Sequence, residues 1–109
     1  MSENKNFLAV DLGASHGRVI LAKYNGKILE LDTVHNFINN GININGHLHW
    51  NILQLYKEIK NGIRKAVKHK NNIHSLGVDS WGVDYALLDK TGTLMSLHYH
   101  YRDKRTEVI

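Results

Sequence analysis

One amphipathic stretch set between short apolar runs restricts this chain more than any other feature. Ile52, Leu55, Tyr56, Ile59, Ile63, Ala66 and Val67 recur at i, i+3, i+4, i+7, i+11, i+14 and i+15, one helical face, and predict a helix over 51–69. Asn51 is placed to cap the first turn, with Gln54 three residues on as in a capping box. Trp50, just ahead of the cap, is placed to pack on Leu55 as a hydrophobic staple. Gly62 is unfavourable inside a helix by about 1 kcal/mol relative to Ala, so a close contact with a neighbouring layer is expected there.

The flanking sequence supplies that layer. Phe7 to Val10 is a continuous apolar run, the pattern of a strand buried on both faces. Arg18 to Tyr24 reads as a second strand and Lys27 to Phe37 as a third. Asn25-Gly26 between them predicts a type I′ hairpin, whose two central residues both need positive φ. The Asn-rich stretch Asn39 to Asn45 reads as a loop. Beyond the helix, Ser75 to Asp79 is a further strand, Val83 to Leu88 continues or pairs with it, and Asp89 to Gly92 makes a turn. Proline is absent, so the turns rely on Gly, Asn and Asp. Three antiparallel strands, a crossover helix and another strand describe one α/β layered domain with a mixed sheet over 1–109.

Composition excludes several function classes. Hydrophobic residues make up 42% and charged residues 22%, as in ordinary globular proteins. The formal charge is +4, but the basic residues are dispersed. The densest group, Lys65, Lys68 and Lys70, sits at the helix C-terminus, where it complements the dipole. A solvated face is therefore expected, and no nucleic-acid partner. None of the eight histidines forms an HxxxH or HExxH pair, and His47 and His49 are two apart, so no metal site is expected from them. The absence of cysteine removes disulfides, thiolate chemistry and Cys-ligated zinc, and is compatible with a reducing cytoplasm. No apolar run approaches the ~20 residues of a membrane span, and the N-terminus lacks a signal-peptide layout. A cytoplasmic location without a membrane partner is expected.

Asp11-Leu12-Gly13-Ala14-Ser15-His16-Gly17-Arg18 lies between two strands. Its glycines let backbone N–H groups approach an anion, Ser15 adds a hydroxyl donor, and Arg18 supplies charge or anchors the loop. A carboxylate at the strand end, Asp11, suits Mg²⁺ held through water. The unit fits the terminal phosphates of MgATP, with Ala14 to Gly17 in the turn. No Gly-Lys-Ser/Thr follows, so it is not a Walker loop, and a strand follows instead of a helix, so it is not a dinucleotide fingerprint. A plain hairpin with Arg18 in solvent is the competing reading. Val78-Asp79-Ser80-Trp81-Gly82-Val83-Asp84 ends the strand after the helix, where ligands bind in α/β folds. Trp81 offers an apolar platform or a core residue, Gly82 close backbone access, and Asp79 or Asp84 hydroxyl recognition or strand ends. Arg102-Asp103 suits a polyol or a surface ion pair.

Together, AVDLGASHGRVILA, NGHLHW before the helix, LGVDSWGVDYALLD and YHYRDKRT resemble the FGGY carbohydrate kinase family of the actin-like ATPase superfamily, in order across nearly the whole chain. WGVDYALLD followed by YRDKRT is more similar to the members that act on L-rhamnulose than to glycerol or xylulose kinases. The resemblance implies a ribonuclease H-like (actin-like ATPase) N-terminal subdomain. It implies transfer of the ATP γ-phosphate to L-rhamnulose or a similar ketose, giving the 1-phosphate. It places the ATP phosphates on Ala14, Ser15, His16, Gly17 and Arg18, the Mg²⁺ near Asp11, and the sugar on Gly82. His16 departs from the small residue usual there. Family members are several times longer, and their catalytic Asp and adenine-holding lobe come later. The chain thus reads as a truncated N-terminal part, inactive alone and without catalytic residues of its own: a truncated gene product, a gene fragment, or one half of a split gene with its second lobe encoded separately. Two other functions stand beside this one. One is a non-catalytic nucleotide- or sugar-binding module. The other is a two-metal nuclease using Asp11 with Asp79 or Asp84, which the glycine-rich turn after Asp11 disfavours.

Overall fold

The computed structural model describes residues 4–70 and 72–107. The first three residues of the N-terminal reading, and the last two of the polar tail, lie outside the described residues. In chain order the elements are β1 (Lys5–Leu12), β2 (His16–Tyr24), β3 (Leu29–Ile38), β4 (Ile42–Ile44), β5 (His47–His49), α1 (Ile52–His69), β6 (Ile73–Asp79) and a short 3₁₀ turn, Lys104–Thr106. Four strands form one mixed sheet in the order β3-β2-β1-β6, and β4 and β5 make a separate two-stranded ribbon. β1 runs antiparallel to β2, with Val10 opposite Val19 and Asp11 opposite Arg18. It runs parallel to β6, with Asp11 beside Asp79. A parallel neighbour needs a crossover, and α1 provides it.

The alternating residues Leu8 and Val10 of β1 and Val19 and Leu21 of β2 form the core with Ala66 of α1, and Ile59, Ile63, Leu12, Val34 and Ile73 pack around them. The helix covers this one face. Ala9 on the other face is exposed and Phe7 is half-buried, so β1 is not buried on both faces as its apolar run suggested. The helical face is also narrower than its period implies. Leu55, Gly62 and Ala66 are buried, but Tyr56 is 65% exposed, because α1 lies over β2 and β3. Leu76 and Val78, the register partners of Leu8 and Val10 on β6, are left exposed for the same reason.

Asn51 caps the helix as expected, its side chain accepting from the Gln54 N–H at 3.3 Å. The Trp50 ring is spent elsewhere, in a stack described below. Lys65 Nζ donates to His35 Nδ1 at 2.8 Å, and Glu58 Oε2 lies 3.3 Å from His35 Nε2, tying α1 to β3.

Three expectations are corrected. The Asn25-Gly26 turn is a hairpin loop, but only Gly26 has positive φ (94°). The Asn25 side chain instead accepts the N–H groups of Lys27 and Ile28 at 2.9 and 2.8 Å, so the loop is held by a side-chain turn. The stretch Asn39 to Asn45 is not all loop, since Ile42–Ile44 pairs with His47–His49 through the Asn45-Gly46 turn, both at positive φ. Val83 to Leu88 is not a strand; its only ladder contact among the described residues is the isolated bridge of Leu88 with Leu94, across the turn that Asp89 and Gly92 form as expected. No described helix is long and apolar enough to cross a membrane.

Gly62 is explained by its neighbour. A Cβ there would lie 2.7 Å from Val19 Cβ and nearer still to its Cγ2, so the helix backbone sits directly on the sheet. Gly62→Ala is expected to lower the urea midpoint despite its better helix propensity. Overpacking of this kind costs about 1–3 kcal/mol against a propensity gain of about 1. The Gly62→Ala, Val19→Ala double variant should be more stable than additivity predicts. A rise in midpoint for Gly62→Ala alone would show that the helix–sheet spacing is not tight.

Candidate functional site

Because β1 and β6 are parallel neighbours, their C-terminal ends lie side by side, and two loops leave the sheet there. One is the turn 13–15 between β1 and β2; the other is the segment 80–84 after β6. Gly13 and Gly82 therefore emerge at the same end of the sheet.

The turn is built by backbone closure. The Gly13 N–H donates to the His16 carbonyl at 2.8 Å, and a Cβ on Gly13 would stand 3.0 Å from that oxygen. Asn39, buried just after β3, clasps it from outside. Its Nδ2 donates to the Gly13 carbonyl at 2.7 Å and its N–H to the Ser15 carbonyl at 2.8 Å. The carbonyls are thus occupied, whereas the N–H groups of Ala14 and Ser15 have no partner among the described residues. Two adjacent unpaired amides and the exposed Ser15 hydroxyl form a donor-rich surface suited to an anion. The turn is shorter than expected. His16 and Gly17 belong to β2, and Gly17 is buried, because a Cβ there would lie 2.9 Å from Phe37 Cε1 and closer to other atoms of its ring.

Arg18 does not stand alone in solvent. Its Nη2 and Nε donate to Asp11 Oδ2 at 2.6 and 3.1 Å, across the antiparallel pair. Both side chains are about half exposed, and such a pair is worth little in stability, so its partners remain exchangeable. Asp11 Oδ1 has no partner among the described residues. A shallow cavity of about 410 Å³ beside it is lined by Ala9, Val10, Asp11, Gly77, Val78 and Asp79. No group of three or more metal-ligating side chains occurs among the described residues.

On the second loop, Trp81 lies flat on Trp50, ring centroids 3.8 Å apart and planes 13° apart. His100 stacks on the other face of Trp50 at 3.7 Å. The Trp50 indole N–H donates to Asp84 Oδ2, so this carboxylate is not available to join Asp11. Trp81 is half-buried in this stack, between a bare platform and a core residue. Gly82 is exposed, its φ is not positive, and a Cβ would meet nothing within 4 Å among the described residues. Neither packing nor backbone explains a glycine there. Val83 follows at φ 65° and is 89% exposed, an uncommon conformation for a β-branched residue.

Asp103 is neither a polyol ligand nor a surface partner of Arg102. It is buried and accepts from the Leu48 N–H at 2.6 Å, His47 Nδ1 at 3.1 Å and the Arg105 N–H at 3.2 Å. Burial pushes its pKa up, but the Leu48 amide, His47 and the Arg105 amide outweigh that together and hold it at about 2. His98 and His100 are lowered by burial, His98 against the opposing pull of Asp84 and His100 with help from Arg102. Asn39 carries no distinguishing sequence signal, because it sits in an Asn-rich stretch with the composition of a loop. The link of Trp50 to Asp84 and His100 carried no spacing signal, since the partners come from distant segments.

The chain matches the profile described as "FGGY family of carbohydrate kinases, N-terminal domain" over residues 6–109. It is 49% identical over 105 residues to a protein named rhamnulokinase from Mannheimia succiniciproducens, and 42% identical over 102 residues to one of the same name from Bacteroides thetaiotaomicron. Each alignment covers 94% of this chain but only 22% and 21% of the relative. The chain therefore spans about a fifth of the length of the curated relatives it matches. A solved gluconate kinase from Lactobacillus acidophilus superposes with a TM-score of 0.73 at 14% identity, over 94% of this chain and 20% of that one, which shows a shared fold.

Two outcomes follow from this geometry. Asn39→Ala should cost about 1–3 kcal/mol, the range for stranding buried polar partners, and speed amide exchange at residues 13–16 more than in β1; unchanged exchange would free the turn from Asn39. Asp103 has a folded pKa below its unfolded value near 4, so its stabilisation is complete above about pH 4 and lost as pH falls towards 2. Acid titration should show this loss as a fall in stability that Asp103→Asn removes. An identical acid limb in that variant would assign acid sensitivity to other groups.

Proposed function

The chain belongs to the FGGY family of carbohydrate kinases, and on that premise we propose that these residues form the phosphate-holding side of an ATP-dependent ketose kinase, acting on L-rhamnulose or a close relative. The observation that carries this reading is the turn with two amides unpaired among the described residues, at the same sheet end as Gly82, a glycine that no described neighbour explains. One end of the sheet then holds a phosphate and the other partner of the transfer within one cleft. The Ala14 and Ser15 amides and the Ser15 hydroxyl would bind the terminal phosphates as fixed donors that need no reorganisation as charge moves. Arg18, held by Asp11, would add positive charge beside them. His16 and Gly17, as the first residues of β2, would support the turn, Gly17 by admitting the Phe37 ring.

The donor set fits a magnesium ion: Asp11 Oδ1 is without a partner among the described residues and Asp79 is its register neighbour, while Mg²⁺ keeps most of its own waters. Bound there through water, the ion would neutralise charge on the phosphates. Gly82 would let a sugar hydroxyl approach backbone without a Cβ in the way. The base that takes the hydroxyl proton would come from the four-fifths of such an enzyme that this chain does not span, as would the adenine pocket.

The test replaces the corresponding residues of the Mannheimia relative with these 109. The chimera should release ADP from MgATP only when L-rhamnulose is present, and Asp11→Ala should reduce the rate by at least about tenfold. The 109 residues alone should show no sugar-dependent turnover, because the γ-phosphate would remain in water. A folded but inactive chimera would overturn the assignment, and sugar-dependent turnover by the 109 residues alone would overturn the need for a second lobe.

A further inference from the structure

We propose that Trp50 is a positioning residue for the sugar-side loop: its one indole clamps both ends of the segment Trp81–Asp84 and so fixes Gly82 and Val83 between them. This rests on the proposed sugar-kinase reading for its consequence, but the clamp itself stands on contacts alone. Trp50 is fully buried. Its own N–H donates to the His98 carbonyl at 3.2 Å, and His100 covers one ring face at 3.7 Å. The other face receives Trp81 at 3.8 Å, and the indole N–H donates to Asp84 Oδ2. Two residues three apart are thus bound to a single rigid side chain, and only Gly82 and Val83 span the gap.

The span is strained. A β-branched residue at φ 65° costs on the order of 1–3 kcal/mol, and such a conformation persists only when its surroundings over-determine it. Val83 is almost wholly exposed, so its own side chain does not hold it there. The clamp does. The residue it presents is Gly82, whose missing side chain has no packing or backbone reason among the described residues. Asp84 therefore acts through Trp50 to aim the loop, and its carboxylate is engaged by the indole instead of recognising hydroxyls. The turn 13–15 makes no hydrogen bond or ring contact with this clamp among the described residues, so loss of the clamp should affect the sugar and spare the nucleotide.

The test has a kinetic and a spectroscopic arm. In the chimera, Asp84→Ala should raise the KM for L-rhamnulose roughly 10- to 100-fold, the scale of a misplaced positioning contact, with the KM for ATP unchanged. Asp84→Asn, whose amide oxygen still accepts from the indole, should restore most of the affinity. General destabilisation would instead lower the active fraction and leave both KM values alone. In the 109-residue chain the only tryptophans are Trp50 and Trp81, so their stacked pair should give an exciton couplet in circular dichroism. Trp81→Phe should abolish it, and Asp84→Ala should weaken it in the folded state, well below a urea midpoint that itself falls because the buried indole N–H is left unpaired. A full couplet in Asp84→Ala, or equal rises in both KM values, overturns the clamp. An active-site failure of the chimera with the couplet behaving as stated would overturn the kinase reading and leave the clamp standing.

Discussion

The double pairing of β1 governs this structure. One strand is antiparallel to β2 and parallel to β6, and each relation places a loop at the same end of the sheet. The antiparallel partner returns through the turn 13–15. The parallel partner arrives only after a crossover, and the loop that leaves it starts where that turn sits. The crossover helix then has to lie on the sheet closely enough to share its core, which is why Gly62 faces Val19. Replacing any of these relations would separate the two loops before it altered a residue in either.

A second layer of organisation links three segments distant in sequence. The ribbon residues before α1, the loop after β6 and the tail around 98–105 meet at Trp50 and Asp103. Both are buried polar-capable groups whose hydrogen bonds are satisfied, the condition under which such groups specify one arrangement of their neighbours. Trp50 joins loop and tail through stacking and one hydrogen bond. Asp103 joins tail and ribbon through the Leu48 amide and His47, and continues the tail with the Arg105 amide. The ribbon itself adds the bridge of His49 with Tyr99 and the stacking of their rings at 4.7 Å.

The main-sheet strands and the helix were legible because their signals are periodic and local. A continuous apolar run placed β1, aliphatic residues placed β2 and the Asn25-Gly26 turn placed β3, while the Asn51 cap marked the helix start and Gly62 announced its close contact from propensity alone. What escaped was non-local. β4 alternates Ile with Asn, and the asparagines disguised a short strand as loop. Val83 to Leu88 has strand-like residues, but Asp84 is bonded to the Trp50 indole and Leu88 bridges Leu94 instead of the sheet, and no local pattern encodes those distant partners. The site shows the same division. The amide-lined turn follows from its glycine and flanking strands, whereas Gly17's true neighbour, Phe37, and the clasp of Asn39 come from the third strand. Asp103 reads as a partner of Arg102 because they adjoin in sequence; two of its three partners, His47 and the Leu48 amide, are more than 50 residues away.

The same connectivity sets an order of assembly. β1, β2 and β3 join through short turns, so their pairing closes little chain and can begin while the helix is still being synthesised. β6 reaches β1 only across a far larger closure, measured by the Asn6 side chain bonding Asn72, 66 residues away. The turn 13–15 therefore belongs to the early, local part of the chain and the segment 80–84 to the late one. On the ribosome, the two loops at this end of the sheet are made at different times, and their meeting marks the moment at which the sheet is complete.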